Sequence, residues 1–188
     1  FVLYEPLIKV PFIIRFPELF RKGKKYSGLV QTLDILPTLY DYLGIEWTDV
    51  CREIQGKSLL KLVENKEKRE FTISERSDWS SATSIGKIAY LEKRYPGFEW
   101  RKYAHEIVAL RTDDYKYIWS SEGRHELYDL RHDREESNNL VTVEREKASE
   151  LRAKMETWRR SFVRAQPSAE KGDLEPSVKK RLRALGYI

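Results

Sequence analysis

The sequence predicts an α/β fold in which a buried strand and a flanking helix come first, and an antiparallel sheet packed by a long helix follows. Residues 7–16, LIKVPFIIRF, are apolar at nearly every position, which is typical of a strand covered on both faces. Three later segments have the composition and turn spacing of an antiparallel meander: residues 107–111, 115–119 and 126–130. Residues 142–163 carry apolar side chains at alternating steps of three and four, which indicates a helix.

The stretch at residues 26–45, YSGLVQTLDILPTLYDYLGI, contains helix signals that agree with one another. Asp34 can cap a helix by accepting hydrogen bonds from its first N–H groups, and Pro37 falls in the first turn, where its missing N–H costs little. Gly44 supplies the left-handed residue that ends the helix. Residues 29–33 just upstream are consistent with a buried strand, and many α/β proteins contain such a unit. The apolar positions follow at helical spacing: Leu36, Leu39, Tyr40 and Leu43.

Shorter elements follow this helix. Ser58 can cap a short helix that runs to Val63. Residues 71–75 alternate as a strand does, and residues 84–95 are predicted to be helical and to end at Pro96-Gly97. In the meander, period-two alternation places three aromatic residues on one face and an apolar residue with a lysine on the other: Tyr115, Tyr117 and Trp119 against Ile118 and Lys116.

The helix at residues 142–163 is predicted to cover the meander with one apolar stripe, because a lone helix of this length gains most of its stability from packing. The alternative is a coiled-coil dimer, for which three heptads are marginal. Glu150 and Lys154 form a favourably oriented pair on the exposed side. The stripe consists of Ala148, Leu151, Met155, Trp158 and Phe162.

Charged linkers divide the chain into a predicted first domain at residues 1–66, a small subdomain at 67–165, and a linker with a basic amphipathic tail helix at 166–188. The tail places apolar residues on one side and basic residues opposite, and we expect it to dock on its own protein. Binding to a membrane surface or an acidic partner is the alternative. The apolar side of the tail consists of Val178, Leu182 and Leu185.

Composition excludes several classes of protein. The chain has 188 residues, of which 40% are hydrophobic, so it can bury a core. Its 35 basic and 30 acidic residues are too balanced for a nucleic-acid binder. No apolar run approaches the ~20 residues of a membrane span. The single cysteine excludes an internal disulfide and leaves the compartment open, with the cytoplasm favoured.

Two charged clusters are interpreted as solvated segments. The basic run between Arg21 and Lys25 is typical of an exposed loop rather than of a nucleic-acid site. The acidic residues after the last strand lack the spacing and the turn glycine of a helix-loop-helix calcium site, so we predict a solvated turn. These acidic residues are Asp129, Asp133, Glu135 and Glu136.

Five ordered motifs resemble a known family. They are LYEPLIKVPFIIRFP at 3–17, VQTLDILPTLYDYLGI at 30–45, GKSL at 56–59, DDYKYIW at 113–119 and ELYDLRHDREESNNL at 126–140. Together they resemble the second half of a sulfatase, in the alkaline phosphatase superfamily. One departure is Asp133-Arg134, where relatives usually carry Asp-Pro, and it affects only a turn.

The resemblance implies hydrolysis of a sulfuric ester by an intact protein that contains a formylglycine nucleophile and calcium. It also implies that the strand at 7–16 is a remnant of the large mixed sheet of an N-terminal catalytic domain. Most of that domain, which is the partner of this chain, is absent here. Cys51 lies in CREIQ, which lacks the proline and arginine of the Cys/Ser-x-Pro-x-Arg nucleophile motif. The acidic calcium ligands of relatives precede Tyr4-Glu5, and an active-site lysine would fall one position before Phe1. No residue is therefore carried over as catalytic or metal-binding, and we predict that the chain alone is inactive and poorly soluble.

Three residues remain as candidate contacts at the rim of the active site: Arg76, Trp79 and His105. The resemblance implies that the variable segment containing them approaches the mouth of the site. The interpretation that we favour is that the aromatic residues of this segment pack the subdomain. Two other functions stay open: a phosphodiesterase or phosphonate monoester hydrolase of the same superfamily, and a non-catalytic interaction module.

Overall fold

A computed structural model describes residues 2–20, 22–46, 54–64, 67–76, 89–97, 99 and 105–161. The predictions for Cys51, Trp79, Phe162 and the tail at 166–188 fall outside the described residues. Across the described part of the chain, none of the helices combines the length and the apolar character that crossing a bilayer requires.

Four antiparallel strands form one sheet in the order β1-β2-β3-β4. They are β1 (Thr72–Arg76), β2 (Ile107–Arg111), β3 (Tyr115–Ser120) and β4 (Glu126–Asp129). The register pairs Leu110 with Tyr117, and Tyr117 with Leu127. The predicted antiparallel sheet is confirmed, and its strand ends differ from the predictions by a single residue.

The long helix α4 (Arg145–Arg160) packs on one face of this sheet, as predicted. Because alternate residues of a strand share a face, the even positions of β2 and the odd positions of β3 meet the helix. The core between them contains Val108, Leu110, Tyr117 and Leu127 from the sheet and Ala148, Leu151 and Met155 from the helix. On the solvent side, Lys154 Nζ lies 3.4 Å from Glu150 Oε1, which confirms the predicted pair.

The opposite face of the sheet is covered by the beginning of the chain. The short helix α1 (Glu5–Ile8) and the residues just before it lie on this face. The second core contains Leu3 together with Ile107, Ala109, Ile118, Tyr128 and Leu130. Residues 3–8 thus pack on the predicted subdomain of residues 67–165, although they belong by sequence to the predicted first domain.

The predicted strand at residues 7–16 is wrong for the described structure. Residues 5–8 are helical, and residues 9–16 form neither helix nor strand. Ile13 is 90% exposed, so the apolar run is not buried. A strand requires hydrogen-bonding neighbours, and each of the four described strands pairs only within its own sheet. The predicted strand at 29–33 is also absent, since Thr32–Asp34 forms a 3₁₀ turn.

The predicted helices that lie within the described residues are present. Helix α2 (Ile35–Leu43) contains Pro37 in its first turn and ends at Gly44, whose φ of 65° is left-handed. Helix α3 (Leu59–Val63) begins after Ser58, whose side chain makes no capping hydrogen bond. Residues 89–94 are helical, and the chain turns at Pro96-Gly97 as predicted.

Candidate functional site

The Asp34 side chain is the centre of a buried junction and not a cap of helix α2, which corrects the prediction. Its backbone is already right-handed helical, at φ −76° and ψ −15°, whereas a capping residue is normally extended. The carboxylate instead accepts hydrogen bonds from the N–H groups of Gln31, at 2.7 Å, and Lys57, at 2.8 Å. It also pairs with the Arg69 guanidinium, and both side chains are buried. The junction therefore joins helix α2, the approach to helix α3, and the approach to strand β1.

A second buried charge lies on the sheet face that the N-terminal residues cover. Lys116 of strand β3 is fully buried, on the strand face that it was predicted to share with Ile118. Its ammonium group lies 2.9 Å from Glu5 Oε1 and 2.7 Å from Glu136 Oε1. It also donates a hydrogen bond of 3.1 Å to the Leu3 carbonyl. Three partners thus surround a group that has three N–H donors.

The Glu5 carboxylate has a further cation beside it, because Arg111 Nε lies 3.2 Å from Glu5 Oε1. Burial alone would raise the pKa of Glu5, but Lys116 and Arg111 outweigh it and hold that pKa below its ordinary value. The Glu5 N–H donates a 2.5 Å hydrogen bond to Glu136 Oε2. Two carboxylates and two cations therefore form a network that is neutral in sum.

The predicted solvated turn after strand β4 is wrong for two of its residues. Glu136 is buried, and its φ of 54° lies in the left-handed region, which is unusual for a glutamate. Asp129 is largely buried, and hydrogen bonds from Arg131 and His132 hold its pKa well below its ordinary value. Among the described residues, no group of three or more His, Cys, Asp or Glu side chains could hold a metal ion.

Tyr4 is anchored next to this network by a second set of contacts. The Tyr4 and Tyr128 hydroxyls both donate to Glu126 Oε2, at 2.9 Å and 2.7 Å. The two rings meet edge to face with centroids 6.0 Å apart. Burial, followed by the Glu126 carboxylate, raises the pKa of Tyr128 far above its ordinary value. The adjacent residues of the Tyr-Glu motif are thus fixed to the sheet by different partners.

Two of the three predicted rim residues lie together where strand β1 ends and strand β2 begins. The Arg76 guanidinium donates to the His105 carbonyl, and burial lowers the pKa of Arg76. His105 Nδ1 lies 3.8 Å from Glu122 Oε1 in the turn after strand β3. The third candidate, Trp79, is outside the described residues.

The same end of the sheet carries an aromatic cluster. Trp119 stacks on His125 with ring centroids 6.3 Å apart, and the Arg159 guanidinium lies 4.5 Å from the Trp119 centroid. His125 Nδ1 accepts a hydrogen bond from the Ser120 N–H, and burial lowers the pKa of His125. In contrast, Tyr90 and Tyr95 are exposed, so the prediction that the aromatic residues of this segment pack the subdomain is wrong for these two.

An open groove of about 1680 Å³ separates the irregular N-terminal segment from strand β1. Apolar side chains of residues 8–16 and 29–33 line it together with Leu59 and Ile73. Glu5 and Arg111, which form an ion pair, also border the groove.

Comparison with known proteins identifies the family. Residues 1–161 match the family model described as N-sulphoglucosamine sulphohydrolase, C-terminal. An N-acetylglucosamine-6-O-sulfatase of Bacteroides thetaiotaomicron is 31% identical over 140 residues, which are 73% of this chain and 22% of that protein. The chain therefore belongs to the family of sulfatase C-terminal domains.

Two solved structures show a similar fold. One is a structure in complex with its substrate D-glucosamine-2-N,6-O-disulfate. It is 24% identical with a TM-score of 0.52, and the match covers 79% of this chain and 27% of that chain. The other is a phosphonate monoester hydrolase of Agrobacterium radiobacter. It is 20% identical with a TM-score of 0.50, and the match covers 73% of this chain and 26% of that chain. The chain thus spans about a quarter of the length of these relatives.

Sequence reasoning found the aromatic and apolar faces of the meander but did not identify the buried ion network. The signal was Lys116, two residues before Ile118 on the same strand, because alternation places both side chains on one face. A buried lysine requires a carboxylate partner, and Glu5 belongs to the Tyr-Glu motif.

Proposed function

We propose that this chain is the C-terminal part of a sulfuric ester hydrolase of the alkaline phosphatase superfamily. The observation that carries the proposal is the family match over residues 1–161. The 31% identity to an N-acetylglucosamine-6-O-sulfatase supports the same reaction class. The substrate class is then a sulfate ester, and an amino sugar sulfate is the first candidate.

In this proposal, the formylglycine nucleophile and the calcium ligands lie on residues upstream of Phe1. The described residues do not fit a calcium site, because their buried carboxylates already have partners. Asp34 is paired with Arg69, Glu5 and Glu136 with Lys116, and Asp129 with Arg131. No chemical step is therefore assigned to a residue of this chain, which alone should be inactive.

The chain's own role is to support the catalytic domain and to form part of the rim of its active site. Arg76 and His105 are the rim candidates, since they lie side by side at one end of the sheet. A partly buried guanidinium is suited to bind an anionic sugar sulfate. Trp79 remains a candidate by sequence.

The test is an assay of the intact protein on matched esters. Release of inorganic sulfate from an aryl sulfate and from glucosamine-6-sulfate is expected, with little turnover of an aryl phosphonate or a phosphate diester. Preferred turnover of the phosphonate or the diester would move the assignment to phosphoryl chemistry. Binding of anionic polymer without any hydrolysis would favour an interaction module.

A further inference from the structure

The geometry points to Lys116 as a positioning residue for the proposed reaction. It holds residues Leu3–Glu5 at one place on the sheet and so fixes where the upstream chain meets the small subdomain. This inference rests on the proposed function, because it assumes that the reacting groups lie upstream of Phe1.

Three polar groups lie around the Lys116 ammonium. Its partners are two carboxylates, at 2.9 Å and 2.7 Å, and one carbonyl, at 3.1 Å. A buried ammonium is costly unless it is paired and hydrogen-bonded in good geometry. The three partners must therefore keep their positions together.

The partners of Lys116 come from distant parts of the chain. Glu5 and Leu3 precede Lys116 by more than a hundred residues, whereas Glu136 follows it in the turn after strand β4. Glu136 Oε1 forms an ion pair with the Lys116 ammonium, and Glu136 Oε2 accepts a hydrogen bond from the Glu5 N–H. Its left-handed backbone, at φ 54°, is a conformation that a glutamate adopts only when its surroundings hold it there.

The N-terminal segment is held to the sheet at its beginning but not further along. Leu3 is buried and the Tyr4 hydroxyl is bonded to Glu126, but Val10 is 59% exposed and Ile13 is 90% exposed. The N-terminal segment is thus attached to the sheet at residues 3–8 and not at residues 9–14. Whatever precedes Leu3 leaves the sheet from a fixed point, and a displacement of about 1 Å at a reacting group can cost about 10²-fold in rate.

The experiment compares Lys116→Met with Leu151→Ala in the intact protein. Leu151 is buried in the core on the opposite face of the sheet. Its truncation should lower the stability of the subdomain and leave the contacts of residues 3–5 in place. Both variants are assayed below their unfolding temperatures. We expect kcat for sulfate release to fall roughly 10- to 100-fold in Lys116→Met with KM nearly unchanged, and to stay within about twofold in Leu151→Ala.

A second variant and a second readout keep the inference testable if Lys116→Met does not fold. Glu136→Gln removes one charge and preserves side-chain size. We expect a fall in kcat that is smaller than the fall in Lys116→Met. Amide exchange of residues 2–8 should accelerate at least about tenfold in the Lys116 and Glu136 variants but not in Leu151→Ala.

The outcomes separate this inference from the proposed function. An intact wild-type protein that releases no sulfate overturns the proposed function, and with it any role of Lys116 in that reaction. A wild-type protein that releases sulfate, together with folded Lys116 and Glu136 variants of unchanged kcat, overturns the positioning role alone. Unchanged exchange at residues 2–8 also overturns it.

Discussion

Asp34 and Arg69 form an ion pair that is closed to solvent, with side-chain exposures of 0% and 7%. The pair joins the helical N-terminal region to the residues that lead into the sheet. Arg69 also donates to Gln31 Oε1, at 2.9 Å, and the Gln31 amide donates to the Ile73 carbonyl, at 2.8 Å. The contacts cross the predicted domain boundary near residue 66, so we expect the two regions to unfold together.

Replacing Arg69 by Met should destabilise the chain strongly. The Asp34 carboxylate would remain buried without a counter-ion, which typically costs about 3–5 kcal/mol. The loss of stability is measured as a lower urea concentration at the midpoint of unfolding. The matched control is Lys68→Met, whose pair with Asp113 spans 3.5 Å between side chains that are 81% and 51% exposed. Its effect should stay within about 0.5 kcal/mol, and equal losses in the two variants would contradict the account.

Gly56 of the GKSL motif is predicted to tolerate no side chain. A Cβ atom at this position would lie 2.1 Å from the Leu33 carbonyl oxygen, which is backbone and cannot move aside cheaply. Gly56→Ala should cost about 1–3 kcal/mol or more in urea unfolding. Gly123→Ala is the comparison, because its Cβ would contact no atom within 4 Å and only its φ of 78° is strained. A Gly56 variant as stable as the wild type would show that the chain does not pass Leu33 this closely.

Stability should depend on Glu5 at acidic pH. The pKa of Glu5 is lower in the folded chain than its ordinary value of 4.5, so the unfolded chain binds protons more readily. The contribution of Glu5 is therefore complete above that value and declines as the pH falls below it. In Glu5→Gln, the loss of stability between neutral and acidic pH should be smaller than in the wild type, as followed by urea midpoints at each pH. Identical pH profiles would argue against the Glu5–Lys116 contact.

The isolated chain should associate and bind hydrophobic dye. Among the described residues, most exposed large apolar side chains lie before residue 46, including Ile13 and Leu43, at 90% and 63% exposure. Large exposed apolar patches mark interaction surfaces or aggregation sites. Replacing both residues by Ser should reduce dye fluorescence and light scattering, whereas Val143→Ser, at a site 76% exposed, should change neither. A monodisperse wild-type monomer without dye binding would refute this expectation.

The sheet and its covering helix could be predicted from sequence because both depend on local periodicity. Alternation at Tyr115, Tyr117 and Trp119 and the stripe at Ala148, Leu151 and Met155 each describe one face, and the two faces meet in one core. Gly44 likewise ended helix α2 where predicted, since a left-handed position favours glycine.

The parts that failed depend on contacts distant in sequence. The apolar run at residues 7–16 resembles a buried strand, but pairing is a property of neighbours, and the described chain supplies none there. Glu136 looked like part of a solvated acidic turn, and only the fold reveals that Lys116 and Glu5 surround it. Asp34 had the sequence of a cap, yet it lies within a 3₁₀ turn and its carboxylate pairs with Arg69.

The most direct test of the central claim compares sulfate release by the intact protein with that by the chain of residues 1–188. We predict that the intact protein hydrolyses an aryl or amino sugar sulfate and that the isolated chain, at equal molar concentration, releases no sulfate above the buffer rate. Hydrolysis by the isolated chain would contradict the claim that its carboxylates serve structure and not catalysis. An intact protein inactive on every sulfate ester but active on a phosphonate would contradict the assigned reaction.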